Sequence, residues 1–421
     1  MNKPIIKDMA GGYTLTWKEG IIITCSRLRD YRDDIYSEIR IECKLDGYIP
    51  VLEPCAKYYL LSRTGRKDMA KTLSAACKDI NWAEVLQELS NAVVPKFRAG
   101  KPVEELWSSG ELVPMEYLLY PILPKNDPTI IYGDSGVGKS YIALLLAVAV
   151  MLPWDKNPFG FKCNSHSAPV LYLDWEAGSE RTRRRIQLLK RGLNLPDFPI
   201  QYRYCERPLS EEIPEISELI EKYKTRLVVV DSISGACEGD LNKAEIATSF
   251  INRHLRKWQT TCLLIGHTGK DLTRPDSVIG SSLWKAGARS QWVLKKTQQV
   301  GDSVIEVGLY HRKANDSMLF NPKGFKMWFA EDSTRIEPTD PKNISGLEGE
   351  IPLKERILDF LLTGAHSLTE IAEALEEPKP KIAAELTRLK NSDKIIQLDD
   401  LRWGLKSYYT HRDLLQGASS V

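Results

Sequence analysis

The sequence predicts an α/β core in which strands and helices alternate around a phosphate-binding loop, with a small α+β domain before it and a winged helix-turn-helix after it. Three observations carry this. The stretch "TIIYGDSGVGKSYIALLL" (129–146) sets an apolar strand pattern, a glycine-rich loop and an apolar helix pattern end to end. Apolar, β-rich runs recur at 129–132, 169–173, 227–231 and 261–266, with helical patterns between them, which is the order of a mostly parallel sheet. Beyond residue 352 come "LKERILDFLL", "SLTEIAEALE", "KPKIAAELTRLKNSD" and "KIIQLDDLRWGLKS". These read as helix, helix, turn, helix and a two-stranded wing.

The bulk properties agree with several domains. At 421 residues the chain exceeds one ordinary domain and suits two or three. Hydrophobic content of 43% and charged content of 27% are those of a globular chain. The net charge of +2 gives no global positive field, so any contact with nucleic acid must be local. Cysteines at 25, 43, 55, 77, 163, 205, 237 and 262 form no C-x-x-C pair, which argues for reduced thiols over a disulfide framework or zinc cluster. Cys163 and His166 are close, but two ligands do not make a zinc site. The N-terminus "MNKPIIKDMAGG" lacks the apolar core of a signal peptide. The longest apolar run, 141–152, is shorter than the roughly 18–20 residues that span a bilayer. A cytoplasmic protein without membrane contact is expected.

The elements follow in order. Within residues 1–108, "YTLTWKEGIIITCSRL" alternates like a hairpin turning at Gly20. "YSEIRIECKL" puts Ile39, Ile41 and Cys43 on one face and Arg40, Glu42 and Lys44 on the other. Helical patterns follow in "RKDMAKTLSAACKD" and "NWAEVLQELSNAVV", the second with Asn81 as a candidate N-cap. This domain shows no recognisable chemistry; packing or oligomer contact is the plain reading and DNA contact the other. The core spans 109–337. Residues 338–352 are polar and rich in Pro and Gly, as in a linker; the winged helix takes 353–408 and a tail 409–421.

The core carries the chemistry. Gly133, Asp134, Ser135, Gly136, Val137, Gly138, Lys139 and Ser140 match G-x-x-x-x-G-K-[ST] between a strand and a helix, and Tyr141 continues the helix. Its backbone N–H groups suit the phosphates of ATP, Lys139 reaches the β- and γ-phosphates, and the Ser140 hydroxyl suits Mg²⁺. Asp231 ends the strand "LVVVD", where it can hold the water shell of the magnesium ion. Glu176, after "LYLDW", is the candidate base that orients the attacking water; Asp174 is the second acid there. Arg181, Arg183, Arg184 and Arg185 read as a solvated helix face. His267, in "GHTGK" at a strand tip, is placed to sense a γ-phosphate and inform the next loop.

These four elements, in this order, resemble the RecA-like P-loop ATPases, and within them the RepA-like branch of hexameric replicative helicases. The resemblance covers about residues 110–335. It implies a RecA-like core, ATP hydrolysis with Glu176 as base and His267 as sensor, and a homo-oligomer, a hexameric ring, with its site between subunits. Two departures stand out. Ile279 in "VIGSS" occupies a place where an arginine often stands. "LYHRKAND" replaces a Lys-x-Arg pair, so His311 and Lys313 take those places and Arg312 lies between them. Arg312 and Lys313 are therefore the candidates for a cation acting in trans.

DNA contact in this superfamily comes from loops after the core strands, here 232–244 and 268–282, where Lys270 and Arg274 are candidates. In the winged helix the recognition helix carries Lys379, Lys381, Arg388 and Lys390, but the domain also contains Glu370, Glu373, Glu376, Glu377 and Glu385 and is not basic overall, so duplex DNA and a protein partner in replication both remain open. Three functions fit. The first is an ATP-driven motor or helicase on single- or double-stranded DNA, replicating a plasmid, phage or mobile element. The others are a recombination or regulatory ATPase, and an ATP-assembled initiator or adaptor that does not translocate.

Overall fold

The computed structural model describes residues 3–9, 11–44, 50–99, 103–152, 154, 156–163, 167–269, 278–280, 282–298 and 301–409. The chain forms two compact units. One comprises Met1–Ile131, Ser140–Arg183 and Asp197–Gln291, the other Tyr132–Lys139, Arg184–Pro196 and Trp292–Val421.

The first unit opens with an antiparallel sheet in sequence order: β1 (Ile5–Met9), β2 (Gly12–Thr16), β3 (Ile21–Tyr31), β4 (Asp34–Cys43) and β5 (Val51–Tyr59). Alternation drives it. Ile21, Ile23, Cys25, Ile39, Ile41 and Cys43 are buried, whereas Arg40 and Lys44 are exposed. The β2–β3 turn uses Gly20 at φ +87°. Helices α1 (Arg63–Ala76) and α2 (Trp82–Ala99) supply Leu73, Trp82, Leu86 and Leu89 to the same core as Trp17. Ser62 caps α1, accepting from the Gly65 N–H at 3.1 Å, and Asn81 Oδ1 accepts from the Glu84 N–H at 3.4 Å ahead of α2.

After residues 103–116, which form neither helix nor strand, come β6 (Tyr117–Tyr120), β7 (Leu123–Pro124) and β8 (Pro128–Gly133). Then follow α3 (Lys139–Met151), β9 (Lys162–Cys163), β10 (Val170–Asp174), α4 (Ser179–Gly192), β11 (Gln201–Tyr204) and α5 (Leu209–Tyr223). The stretch continues with β12 (Leu227–Asp231), α6 (Ile233–Ala236), α7 (Ala244–Thr248), a π-helical turn (Ser249–His254) and a 3-10 turn (Leu255–Trp258), β13 (Thr261–His267) and α8 (Ser282–Gly287). The strands lie in the order β11-β10-β12-β13-β8, and the pairs β10–β11, β10–β12 and β12–β13 are parallel. Every residue of β8, β10 and β12 is buried, which explains why these strands are apolar without alternation. In α3, Ile142 to Ala149 are all at 0% exposure, so the longest apolar run of the chain is a buried core helix. Among the described residues no helix is long and apolar enough to cross a membrane.

In the second unit β14 (Ser290–Thr297), β15 (Val304–Ala314), β16 (Lys323–Phe329) and β17 (Thr334–Thr339) lie side by side in that order, with β15–β16 and β16–β17 antiparallel. Helices α9 (Leu353–Phe360), α10 (Leu368–Ala374) and α11 (Lys379–Asn391) then precede an antiparallel pair, β18 (Ile395–Gln397) and β19 (Trp403–Leu405). Ile357, Leu361, Ile371, Ile382, Leu386 and Ile395 form their core. The polar stretch 338–352, expected as a linker, is held down within this unit. Ile344, Leu347 and Ile351 are buried, and Glu350 pairs with both Lys295 and Arg312. Three apolar residues at spacings of three and four are enough to anchor a segment whose average composition is polar.

Candidate active site

The candidate phosphate-binding loop is shaped by its glycines and by its lysine. β8 ends at Gly133, where a Cβ would lie 2.3 Å from the Leu294 carbonyl oxygen, so no side chain fits. Gly138 sits at φ +93°, just before α3. Val137, 1% exposed, pins the loop from inside, while Asp134, Ser135 and Gly136 form its exposed crest. The Lys139 side chain is buried, and its ammonium donates to the carbonyls of Gly133 at 2.9 Å and Asp134 at 2.7 Å. A cation is thus held under a crest of backbone N–H groups at a helix N-terminus, an arrangement suited to phosphate. Ser140 and the half-buried Tyr141 continue into α3.

The acids are organised by β10 and β12, whose register sets Asp174 level with Asp231. Asp231 is 3% exposed; its Oδ2 accepts from the Tyr172 hydroxyl at 2.6 Å. Burial raises its pKa, hydrogen bonds from Tyr172 and Ser140 oppose this, and the charges of Glu176 and Asp174 add to the rise. Asp174 is 1% exposed and fully engaged. Its Oδ1 accepts from the N–H groups of Glu176 (2.8 Å) and Ala177 (2.9 Å), and its Oδ2 from Thr182 Oγ1 (2.9 Å) and the Tyr202 hydroxyl (2.9 Å). It shapes the turn that carries Glu176. The Glu176 side chain is 45% exposed; its Oε1 accepts from Ser232 Oγ and lies 3.5 Å from His267 Nε2. The strand ends therefore bring Glu176 and His267 together with Ser232, and Ser140 together with Asp231.

These residues fit a magnesium ion. Asp231 Oδ1 is buried and has no hydrogen-bond partner among the described residues, an expensive state for a carboxylate oxygen unless a cation or its water shell answers it. The Ser140 side chain is close enough to the same carboxylate to oppose the rise in its pKa. One hydroxyl and one carboxylate belong to the hard-oxygen donor set that magnesium takes.

Several other predicted residues have partners of their own. Arg312 pairs with Glu350 of its own chain and lies over the Tyr310 ring at 5.4 Å. Lys313 follows it near the end of β15. His311 is a packing residue: its ring stacks on Trp292 at 4.1 Å and on Phe320 at 5.5 Å, and its Nδ1 accepts from the Phe320 N–H. Lys379, Lys381 and Arg388 are exposed on α11, where Lys381 pairs with Glu377 at 2.7 Å and Arg388 with Glu385 at 3.0 Å. Lys270, Arg274 and His166 lie outside the described residues. Sequence reading missed Tyr172, Tyr202, Thr182 and Ser232. The local signals were slight: Tyr172 stands two residues before Asp174 and Ser232 directly follows Asp231, whereas Tyr202 and Thr182 are near no strand-end acid in the chain.

Loop, acids and strand order together resemble a P-loop nucleotide-binding core built on a parallel α/β sheet. Residues 94–272 match the family described as an AAA domain. The DNA repair and recombination protein RadA of Aeropyrum pernix is 26% identical over 172 residues, which are 38% of this chain and 51% of that protein. The chain thus spans about half the length of this curated relative. A crystal structure of a KaiC-like protein from Pyrococcus horikoshii aligns over 52% of this chain and 94% of its own at 14% identity and a TM-score of 0.37, a likeness too slight to carry an argument.

Proposed function

We propose that this chain is an ATP-hydrolysing DNA motor, a helicase of RepA-like type that acts in replication of a plasmid, phage or mobile element as a homo-oligomeric, hexameric ring. The observation that carries hydrolysis is the division of labour among the acids. Asp174 has its oxygens filled and Asp231 is buried beside Ser140, which leaves the Glu176 carboxylate as the acid facing solvent, steadied by Ser232 and His267. ATP lays its phosphates on the loop 133–140, with Lys139 against the β- and γ-oxygens. When bound, magnesium neutralises charge developing on those phosphates. Ser140 and Asp231 would hold it, and Glu176 orients the attacking water and polarises it. His267, sharing Glu176 Oε1, passes the state of the γ-phosphate to the loop after β13. Arg312 or Lys313 serves the neighbouring subunit's site, and Lys270, Arg274 and the winged helix at 353–408 meet DNA.

The likeness to RadA supports a second reading, a recombination or regulatory ATPase that switches partners without unwinding. ATPase rate with and without single-stranded DNA, sizing of the oligomer in the same buffer, and strand displacement decide between them. Stimulated turnover by a ring that displaces a strand supports the motor. Stimulated turnover without displacement supports the second reading. A turnover-competent monomer sinks the ring.

A further inference from the structure

Two tyrosines repeat one geometry in the sheet. Tyr172 on β10 is level with Tyr202 on β11, as Asp174 on β10 is level with Asp231 on β12. The Tyr172 hydroxyl donates to Asp231 Oδ2 at 2.6 Å and the Tyr202 hydroxyl to Asp174 Oδ2 at 2.9 Å. Each bond runs one strand across and two residues along, toward the strand ends where the chemistry lies. The rings stack with centroids 6.4 Å apart and planes 18° from parallel, so neither can swing alone. Serine or threonine in those places would be too short to make the diagonal, and phenylalanine would pack equally well without the bond.

The consequences differ for the two acids. Asp231 has one oxygen tied by Tyr172 while the other, Oδ1, has no partner among the described residues. Holding Oδ2 stops the carboxylate from rotating and keeps Oδ1 turned to whatever ligand answers it. Asp174 accepts four donors, two of them the N–H groups of the turn that presents Glu176. Holding this carboxylate holds the turn.

We propose that Tyr172 and Tyr202 are positioning residues with separate tasks: Tyr172 aims the Asp231 carboxylate at the metal's water shell, and Tyr202, through Asp174, aims Glu176. The proposal rests on the reading of Asp231 as the metal acid and Glu176 as the base, and the test keeps these apart. Full-length Tyr172→Phe, Tyr202→Phe and Asp231→Asn proteins are titrated by calorimetry with a non-hydrolysable ATP analogue, once with Mg²⁺ and once with a chelator, and kcat and KM are then measured. In Tyr172→Phe the gain in affinity due to Mg²⁺ falls about tenfold, the scale of one hydrogen bond to a charged group, while binding without Mg²⁺ is unchanged. In Tyr202→Phe the Mg²⁺ gain is unchanged and kcat falls about tenfold with KM steady. If Asp231→Asn loses the Mg²⁺ gain and Tyr172→Phe does not, the positioning role is wrong and the metal acid stands. If Asp231→Asn also keeps it, the metal assignment fails and the proposal with it. If both tyrosine variants weaken binding equally with and without Mg²⁺, the tyrosines only pack, and the proposal is overturned.

Discussion

At Asp174 four donors meet one carboxylate, and two residues later Glu176 keeps much of its own in solvent. Sequence alone offers both acids to the same water; the hydrogen bonds separate them. Glu176→Gln keeps the size and a hydrogen-bonding oxygen but loses the proton acceptor. Nucleotide binding by calorimetry should persist and turnover should drop by about 10²-fold or more. Retained turnover would return the task to another acid. Ser232 steadies the same oxygen, and nothing in "VVVDS" marks that serine for the role, because its partner is 56 residues away. His311 makes a different kind of prediction. Burial pushes its imidazole from 6.5 down to about 4. Between those values the unfolded chain binds the proton and the folded chain does not. The stability is therefore fully present above pH 6.5 and is lost as pH falls toward 4. His254 acts with the same sign, through burial first and then Lys257 and Arg253. In His311→Gln, Tm measured from pH 7 to 4 should decline less steeply than in the parent, and a parallel decline would remove His311 from the acid response.

Among the elements, those with a local signature were legible. The runs at 129–132, 227–231 and 261–266 fall within β8, β12 and β13, because a strand covered on both faces needs unbroken apolar residues. Helix α2 carries the cap that its sequence offers, Asn81, and α1 is capped by Ser62. α10 shows a full capping box: Ser367 accepts from the Glu370 N–H, and the Glu370 carboxylate accepts from the Ser367 N–H. Ser367→Ala should lower stability by about 1 kcal/mol, read as a reduced urea midpoint with unchanged slope. No change would mean that packing of Ile371 and Ala372 alone holds the helix. The pairing of β14 to β17 left little trace in sequence, since an antiparallel ladder depends on which strands meet. The stretch 338–352 misled for a related reason: its average composition is polar, but its few apolar residues are the ones that pack.

For the molecule as a whole, that stretch decides where the chain can be cut. Removal of residues 345–421 takes away Leu347, Ile351 and Glu350, and leaves Lys295 and Arg312 without their carboxylate. A chain ending at 352 keeps them. The shorter chain should melt several degrees below the longer one, and equal melting would show that Glu350 and its neighbours contribute nothing to the fold. The trans-acting cation is tested on the intact chain. Arg312→Ala with Lys313→Ala should bind ATP nearly as well as the parent but hydrolyse it far more slowly. Mixing it with Glu176→Gln should recover activity where an intact base meets an intact cation, once label exchange shows that subunits mix. Normal hydrolysis by the double variant would move the cation elsewhere.

By itself the sequence determined the residues that act as neighbours in the chain. Gly133 to Ser140 form a tight turn between a strand and a helix because glycines, lysine and serine at fixed spacing have few other structures open to them there. It also determined that Asp174, Asp231 and His267 would stand at strand ends, since an apolar run stops where a polar side chain begins. Only the tertiary structure decided which of the acids is engaged and which faces solvent. Tyr172 reaches Asp231 across 59 residues and His267 reaches Glu176 across 91. Bonds over such distances depend on strand order and register, and those arise from the packing of the whole sheet, which no local spacing records.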